Sequence, residues 1–217
     1  YLMFTQGEKT KPGVALFHYP YFEHFFLSLP FRKKGKTILT IHDLTPLVFP
    51  DMFPVGLKGK VKFQIQKFIA KNADALITDS NSSKMDIERL LGVSSDKVFS
   101  VPLAAADYFK EIVISPKEKK EISKRLDLPQ KFDLYVGYAT PNKNLKTLID
   151  SVRISGLPLI MAGGALTNSD TDLNHPWNAD MKYVREAAKN NVNIKLLGFI
   201  SDDDLVALYN MAQVFVF

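Results

Sequence analysis

The sequence predicts an α/β protein made of two Rossmann-like domains, both incomplete. Three observations carry this reading. Short β-branched apolar runs alternate with amphipathic helical stretches along the chain, the rhythm of parallel sheets with right-handed crossovers. That rhythm is interrupted once, over 103–131, by turn residues and a short charged helix, P-K-E-K-K-E-I-S-K-R-L. The stretch 132–152 then reads strand, loop, helix: Leu134, Tyr135 and Val136 break at Gly137, a polar turn follows, and Leu145, Leu148, Ile149 and Val152 recur at helical spacing. These features divide the chain into 1–109, the back part of one domain, a linker at 110–131, and 132–217, the front part of a second.

Composition supports a folded chain and narrows its partners. With 46% hydrophobic residues and 12% aromatics, the 217 residues can bury a core. The absence of cysteine removes disulfides, thiolate chemistry and cysteine-ligated zinc, and is compatible with a cytoplasmic protein. No apolar run reaches membrane-spanning length, and the first ten residues do not read as a signal peptide. The net charge of +5, from 28 Lys and Arg against 23 Asp and Glu, is too small and dispersed to indicate nucleic acid.

Taken in order, the first strand is Val14, Ala15, Leu16 and Phe17, ending at His18. The aromatic cluster Tyr21, Phe22, His24, Phe25 and Phe26 is expected to pack as core, with a helix under the sheet. The run 36–41 (K-T-I-L-T-I) is a buried parallel strand that delivers His42 and Asp43 at its carboxyl end. Leu57, Val61, Ile65, Phe68 and Ile69 mark one face of a lysine-rich helix and are read as its core face, with Phe63 off the stripe. Such a helix is compatible with peripheral contact with an anionic membrane, although a solvated face is the simpler reading. Ala75, Leu76, Ile77 and Thr78 form a third strand, and Asp79, Ser80 and Asn81 are N-cap candidates for a helix closed by Gly92. A fourth strand covers 98–101. In the second half, strands are expected at 134–136, 159–162, 192–197 and 214–217, with helices after the first three. Ser201 and Asp204 have the spacing of a capping box, and Asp202, Asp203 and Asp204 suit a helix N-terminus better than a metal, because consecutive helical positions splay apart.

The 132–152 unit is where a ligand is expected. In open parallel sheets the crevice outside the carboxyl ends of the strands takes ligands, and a helix N-terminus there suits a phosphate. Lys143 stands one residue before that helix. Gly163 and Gly164 follow the next strand, where backbone can approach a ligand closely, or simply turn.

Four segments in this order, T-I-H-D-L-T-P-L at 40–47, A-D-A-L-I-T-D-S at 73–80, the 132–152 unit, and L-L-G-F-I-S-D-D-D-L at 196–205, resemble the family 4 (group 1) glycosyltransferases. The likeness spans nearly the whole chain. It implies a GT-B architecture, with 1–109 on the acceptor side and 132–217 binding the nucleotide sugar. It also implies a retaining transfer from a GDP-mannose-like or UDP-sugar donor to a glycan or lipid-linked acceptor, with no metal or other cofactor and no nucleic acid. By resemblance Lys143 contacts the donor diphosphate, within a loop that includes Gly137, Asn142 and Asn144. Gly163, Gly164, Gly198, Phe199 and Ile200 cradle the nucleotide, and His42, with Asp43 beside it, stands near the reacting sugar. The family often places an arginine where this chain has Tyr138 or Asn142, so a catalytically inactive, nucleotide-binding or scaffold protein is an alternative, as is another GT-B enzyme such as an epimerase. The family's glutamate pair is expected beyond Phe217 and its glycine-rich loop before Tyr1, which marks this stretch as a fragment, inactive by itself.

Overall fold

A strand buried on both faces needs a near-continuous apolar run, and among the strands here, two to five residues long, Leu159–Ala162 is such a run with all four residues buried. The computed structural model describes residues 16–33 and 35–217. The chain falls into two units, Tyr1–Ala104 and Ala105–Phe217. Val14 and Ala15, expected in the first strand, lie outside the described residues.

In the first unit, β1 (Leu16–Tyr19), β2 (Lys36–Thr40), β3 (Ala75–Thr78) and β4 (Val98–Ser100) form a parallel sheet in that spatial order. The register sets Thr40 beside Ile77 and Thr78 beside Ser100, so all four strands end along one edge. Its helices are α1 (Thr45–Val48), α2 (Leu57–Lys71) and α3 (Asn81–Asp86), the last running on as a π-helical turn, Ile87–Leu91. Ser80 caps α3 by accepting from the Ser83 N–H, and Gly92, at φ 68°, ends the π-helical turn in the left-handed conformation. Leu39, Ile41, Leu76 and Val98 from the sheet pack with Ala70, Ile87, Leu91, Phe22 and Leu29.

Two expectations fail in this unit. The aromatic stretch after β1 forms bends rather than a helix, and of its rings only Phe22 is buried, while Tyr21 and Phe26 are exposed. The inward face of α2 is also shifted from the expected stripe. Leu57, Val61 and Phe68 point to solvent, Ile69 of the stripe packs inward as expected, and Phe63, Gln66 and Ala70 complete the inward face. Gln66 explains both. Its amide is fully buried, accepts from the Leu29 N–H (3.3 Å), and donates to the Glu23 carbonyl (3.1 Å) and Ser28 hydroxyl (2.7 Å). With Ser28, whose hydroxyl accepts from the Glu23 N–H (3.1 Å), this side chain supplies the irregular loop with backbone partners that a helix would otherwise give.

The second unit contains α4 (Pro116–Leu126), β5 (Asp133–Val136), α5 (Leu145–Ser155), β6 (Leu159–Ala162), α6 (Gly164–Thr167), α7 (Ala179–Asn190), β7 (Ile194–Gly198), α8 (Asp202–Met211) and β8 (Val214–Phe215). The sheet is parallel, ordered β7-β6-β5-β8, with all four residues of β6 buried. One apolar cluster joins α5 and α7 to the sheet through Ile149, Val152, Met181 and Val184, and a second joins α4 and α8 through Ile122, Leu126, Leu208 and Met211. The chain winds from β5 outward to β7 and then returns to β8 on the other side of β5, so the topological switch lies between β5 and β8.

The segment expected as a linker, 110–131, is built into this unit. Ser115 and Glu118 form a complete capping box at the start of α4, and Arg125 makes a two-pronged ion pair with Asp204 of α8, both arms 2.6 Å. Asn210 accepts from the Ile112 N–H and donates to the Lys110 carbonyl. At α8, Ser201 accepts from the Asp204 N–H, but Asp204 turns its carboxylate to Arg125, so the expected reciprocal box is only half formed.

Candidate functional site

The carboxyl edge of the second sheet gathers most of the predicted site residues. Gly137 ends β5 and donates its N–H to the Ala162 carbonyl (2.9 Å), and Gly163 follows β6 and donates to the Gly198 carbonyl (2.8 Å). Three strand ends are thus stitched into one glycine row. At Gly163 a Cβ would overlap the Gly137 carbonyl oxygen, so only glycine allows the two backbones this close. Gly198 adopts φ 70°, and a side chain there would strike the Thr167 hydroxyl. Gly164 lies against Phe199, which is 85% exposed, whereas Ile200 turns inward and packs against the cluster around Leu134 and Leu208.

The loop after β5 forms a single 3-10 turn, Pro141–Lys143, carrying Asn142. Asn144 follows at φ 51°, its side-chain carbonyl accepting from the Thr147 hydroxyl (3.0 Å). No side chain caps the first-turn N–H groups of α5, which leaves them open to an anion or solvent. Lys143 holds its ammonium 4.0 Å from the ring centroid of Phe217, a residue just past β8. The cation, the open helix N-terminus and Phe217 therefore flank the switch between β5 and β8. Behind them the buried Tyr135 hydroxyl donates to the Tyr138 carbonyl (2.7 Å), and burial pushes its pKa up to about 12, so it remains a neutral donor. Tyr138 and Asn142 bring no charge to this loop. Beneath α6, Arg185 donates to the carbonyls of Leu166 (2.8 Å), Ala165 (2.9 Å) and Asn168 (2.6 Å), which ties down the segment that carries Gly164.

In the first unit His42 and Asp43 extend beyond β2. His42 Nδ1 lies 2.8 Å from Asp79 Oδ2, and the His42 carbonyl accepts from the buried Thr78 hydroxyl (3.2 Å). Of the two parts open to Asp43, orienting His42 or shaping the loop, it takes the second: it accepts from the Thr45 N–H (3.1 Å), and its carbonyl meets His24 Nε2 (3.1 Å). Burial lowers the pKa of His24, which favours its neutral form. Asp79 is thus the partner of His42. The sequence reading assigned it only to helix capping; extending the β2–β3 register by two residues places it opposite His42. His18, at β1, meets the Thr40 hydroxyl at 2.8 Å. Among the described residues no group of three or more His, Cys, Asp or Glu is placed to hold a metal ion.

Comparison with known proteins assigns the second half. Residues 116–217 match the profile of the family described as Glycosyl transferases group 1. This segment is similar to the group 1 glycosyl transferases. The matched segment contains the whole glycine row, the Lys143 loop and Phe199. Over a longer span the chain is 24% identical to the serotype-specific mannosyltransferase WbdA of Escherichia coli, across 84% of this chain and 22% of that protein. It is 27% identical to the O-antigen chain mannosyltransferase B of the same species, across 87% of this chain and 48% of that protein. It therefore spans between about a fifth and a half of these relatives. In solved structures, its fold resembles Anabaena Alr3699/HepE in complex with UDP-glucose (TM-score 0.61, 16% identity, 84% of this chain and 46% of that one). It also resembles the sucrose-phosphate synthase of Thermosynechococcus elongatus (TM-score 0.62, 17% identity, 85% and 44%). These likenesses place both parallel layers in the GT-B fold class.

Proposed function

We propose that the parent protein is a retaining glycosyltransferase that moves a sugar from a nucleoside-diphosphate donor to a glycan or lipid-linked acceptor, and that the second unit holds the donor. The supporting observation is the meeting of Lys143, the uncapped start of α5 and the glycine row at one sheet edge, beside the topological switch. As the glycosidic bond lengthens, negative charge grows on the diphosphate, and a positioned ammonium with backbone N–H groups stabilises it. The exposed Phe199 and the close backbone of Gly163 and Gly164 suit a flat nucleobase. His42, oriented by Asp79, offers a nitrogen to a sugar hydroxyl. The mannosyltransferase relatives favour a GDP-mannose-like donor, and the UDP-glucose-bound neighbour keeps UDP sugars in consideration. No metal is assigned a role.

Titration calorimetry of the intact protein with GDP and UDP, followed by assay with the matching sugar nucleotides, tests this. Lys143→Ala is expected to weaken nucleotide binding by roughly 1.5–3 kcal/mol, the worth of a charge-assisted contact. Unchanged affinity would remove Lys143 from the site. A second reading, a nucleotide-binding protein without transfer, is favoured by the uncharged Tyr138 and Asn142. Tight nucleotide binding with no sugar turnover would select it.

A further inference from the structure

Resting on the donor role proposed for the second unit, we propose that Tyr135 is a positioning residue: its buried hydroxyl fixes the bend after β5 and so sets where Lys143 meets the diphosphate. Tyr135 is 1% exposed and packs in one cluster with Ala139, Leu145 and Ile149. A strand position buried this deeply is ordinarily filled by an apolar side chain, because a hydroxyl there must find a partner. Phenylalanine would fill the same space without that demand. The partner that the hydroxyl finds is the Tyr138 carbonyl, three residues further on, at 2.7 Å. The bond ties no strand to another. It closes the loop back onto the strand that the loop leaves.

The surroundings of this bond show what it holds. Gly137, at φ 150°, turns the chain out of β5, and a Cβ there would lie 3.0 Å from the Tyr135 hydroxyl oxygen. The Gly137 N–H is bound to the Ala162 carbonyl, and its own carbonyl lies against Gly163. Past Tyr138, both Ala139 and Leu145 are buried in the core. Between them the chain makes a 3-10 turn, Pro141–Lys143, in which the Lys143 N–H donates to the Thr140 carbonyl (2.9 Å). Lys143 thus stands on a short arch, with one foot at Tyr138 and Ala139 and the other at Leu145. Without the Tyr135 bond the peptide after Tyr138 is free to rotate, and the arch moves with it while the ring still fills the core. The ammonium is then no longer held beside the open start of α5, and nucleotide binding must supply the cost of ordering it.

The test titrates the intact protein and its Tyr135→Phe variant with UDP and GDP, and with uridine and guanosine, followed by NMR. Tyr135→Phe is expected to bind the preferred nucleoside diphosphate roughly tenfold more weakly, the worth of one hydrogen bond. Its affinity for the nucleoside alone and its far-UV circular dichroism should not change, since the base is held elsewhere and the core stays filled. Lys143→Ala completes a double-mutant cycle. In that background Tyr135→Phe should cost less than about twofold, because its effect passes through Lys143. Unchanged diphosphate affinity in Tyr135→Phe, with Lys143→Ala impaired, would overturn this inference and leave the donor site standing. No effect of Lys143→Ala, or no nucleotide binding at all, would overturn both. Equal losses for diphosphate and nucleoside, full additivity in the double variant, or unfolding of Tyr135→Phe would mark the hydroxyl as structural and would also overturn the proposal.

Discussion

Asp79 controls which nitrogen of His42 faces outward. An ionised carboxylate only accepts hydrogen bonds, so at 2.8 Å it fixes the proton on Nδ1 and leaves Nε2 as an acceptor. Asp79→Ala should therefore move the neutral imidazole of His42 toward the Nε2–H tautomer, read from its ring ¹⁵N shifts, while Asp79→Asn, which keeps an acceptor, should retain more of the native form. Unchanged ring shifts in the alanine variant would show that Asp79 does not set the tautomer. Single residues differ in how far sequence alone reveals them. Lys143 is visible because strand, loop and helix periodicities bracket it within a dozen residues. Asp79 is hidden, because its partner is 37 positions away and only the β2–β3 register brings them together. Phe217 is hidden in the same way, since the order β7-β6-β5-β8 alone brings it to Lys143.

At the scale of elements, strands and most helix positions follow directly from apolar runs and caps, but the face of α2 does not. Periodicity counts apolar side chains and has no means of recognising that a buried glutamine serves a loop 37 to 43 residues away. Gln66→Leu preserves size and removes the amide, leaving the buried Leu29 N–H without an acceptor. The expected loss is about 1–3 kcal/mol in denaturant unfolding, more than an exposed position would give. A change within error would show that the loop does not depend on Gln66. The α4–α8 connection titrates. Arg125 beside Asp204 holds that carboxyl below its ordinary range. With the folded value depressed, the unfolded chain binds the proton more readily, so the stabilisation is present above the ordinary carboxylate range and is lost as pH falls through the folded value. Thermal unfolding followed from neutral to acidic pH should show part of the acid loss disappearing in Asp204→Asn. An identical pH slope in that variant would contradict this.

For the whole molecule, the central claim concerns one edge of one sheet. The parallel order, the switch between β5 and β8, the glycine row and the Lys143 loop all belong to the segment that matches the group 1 glycosyl transferases, and none depends on the first unit. Among the described residues no helix is long and apolar enough to cross a membrane. The direct measurement is an amide ¹H–¹⁵N titration of the chain with UDP and GDP. The site predicts saturable shifts at Gly137, Lys143, Gly163, Gly198 and Phe199 and in the first turn of α5, stronger for one nucleotide than the other and reduced in Lys143→Ala. Shifts confined to other surfaces, or none at millimolar nucleotide, would contradict it.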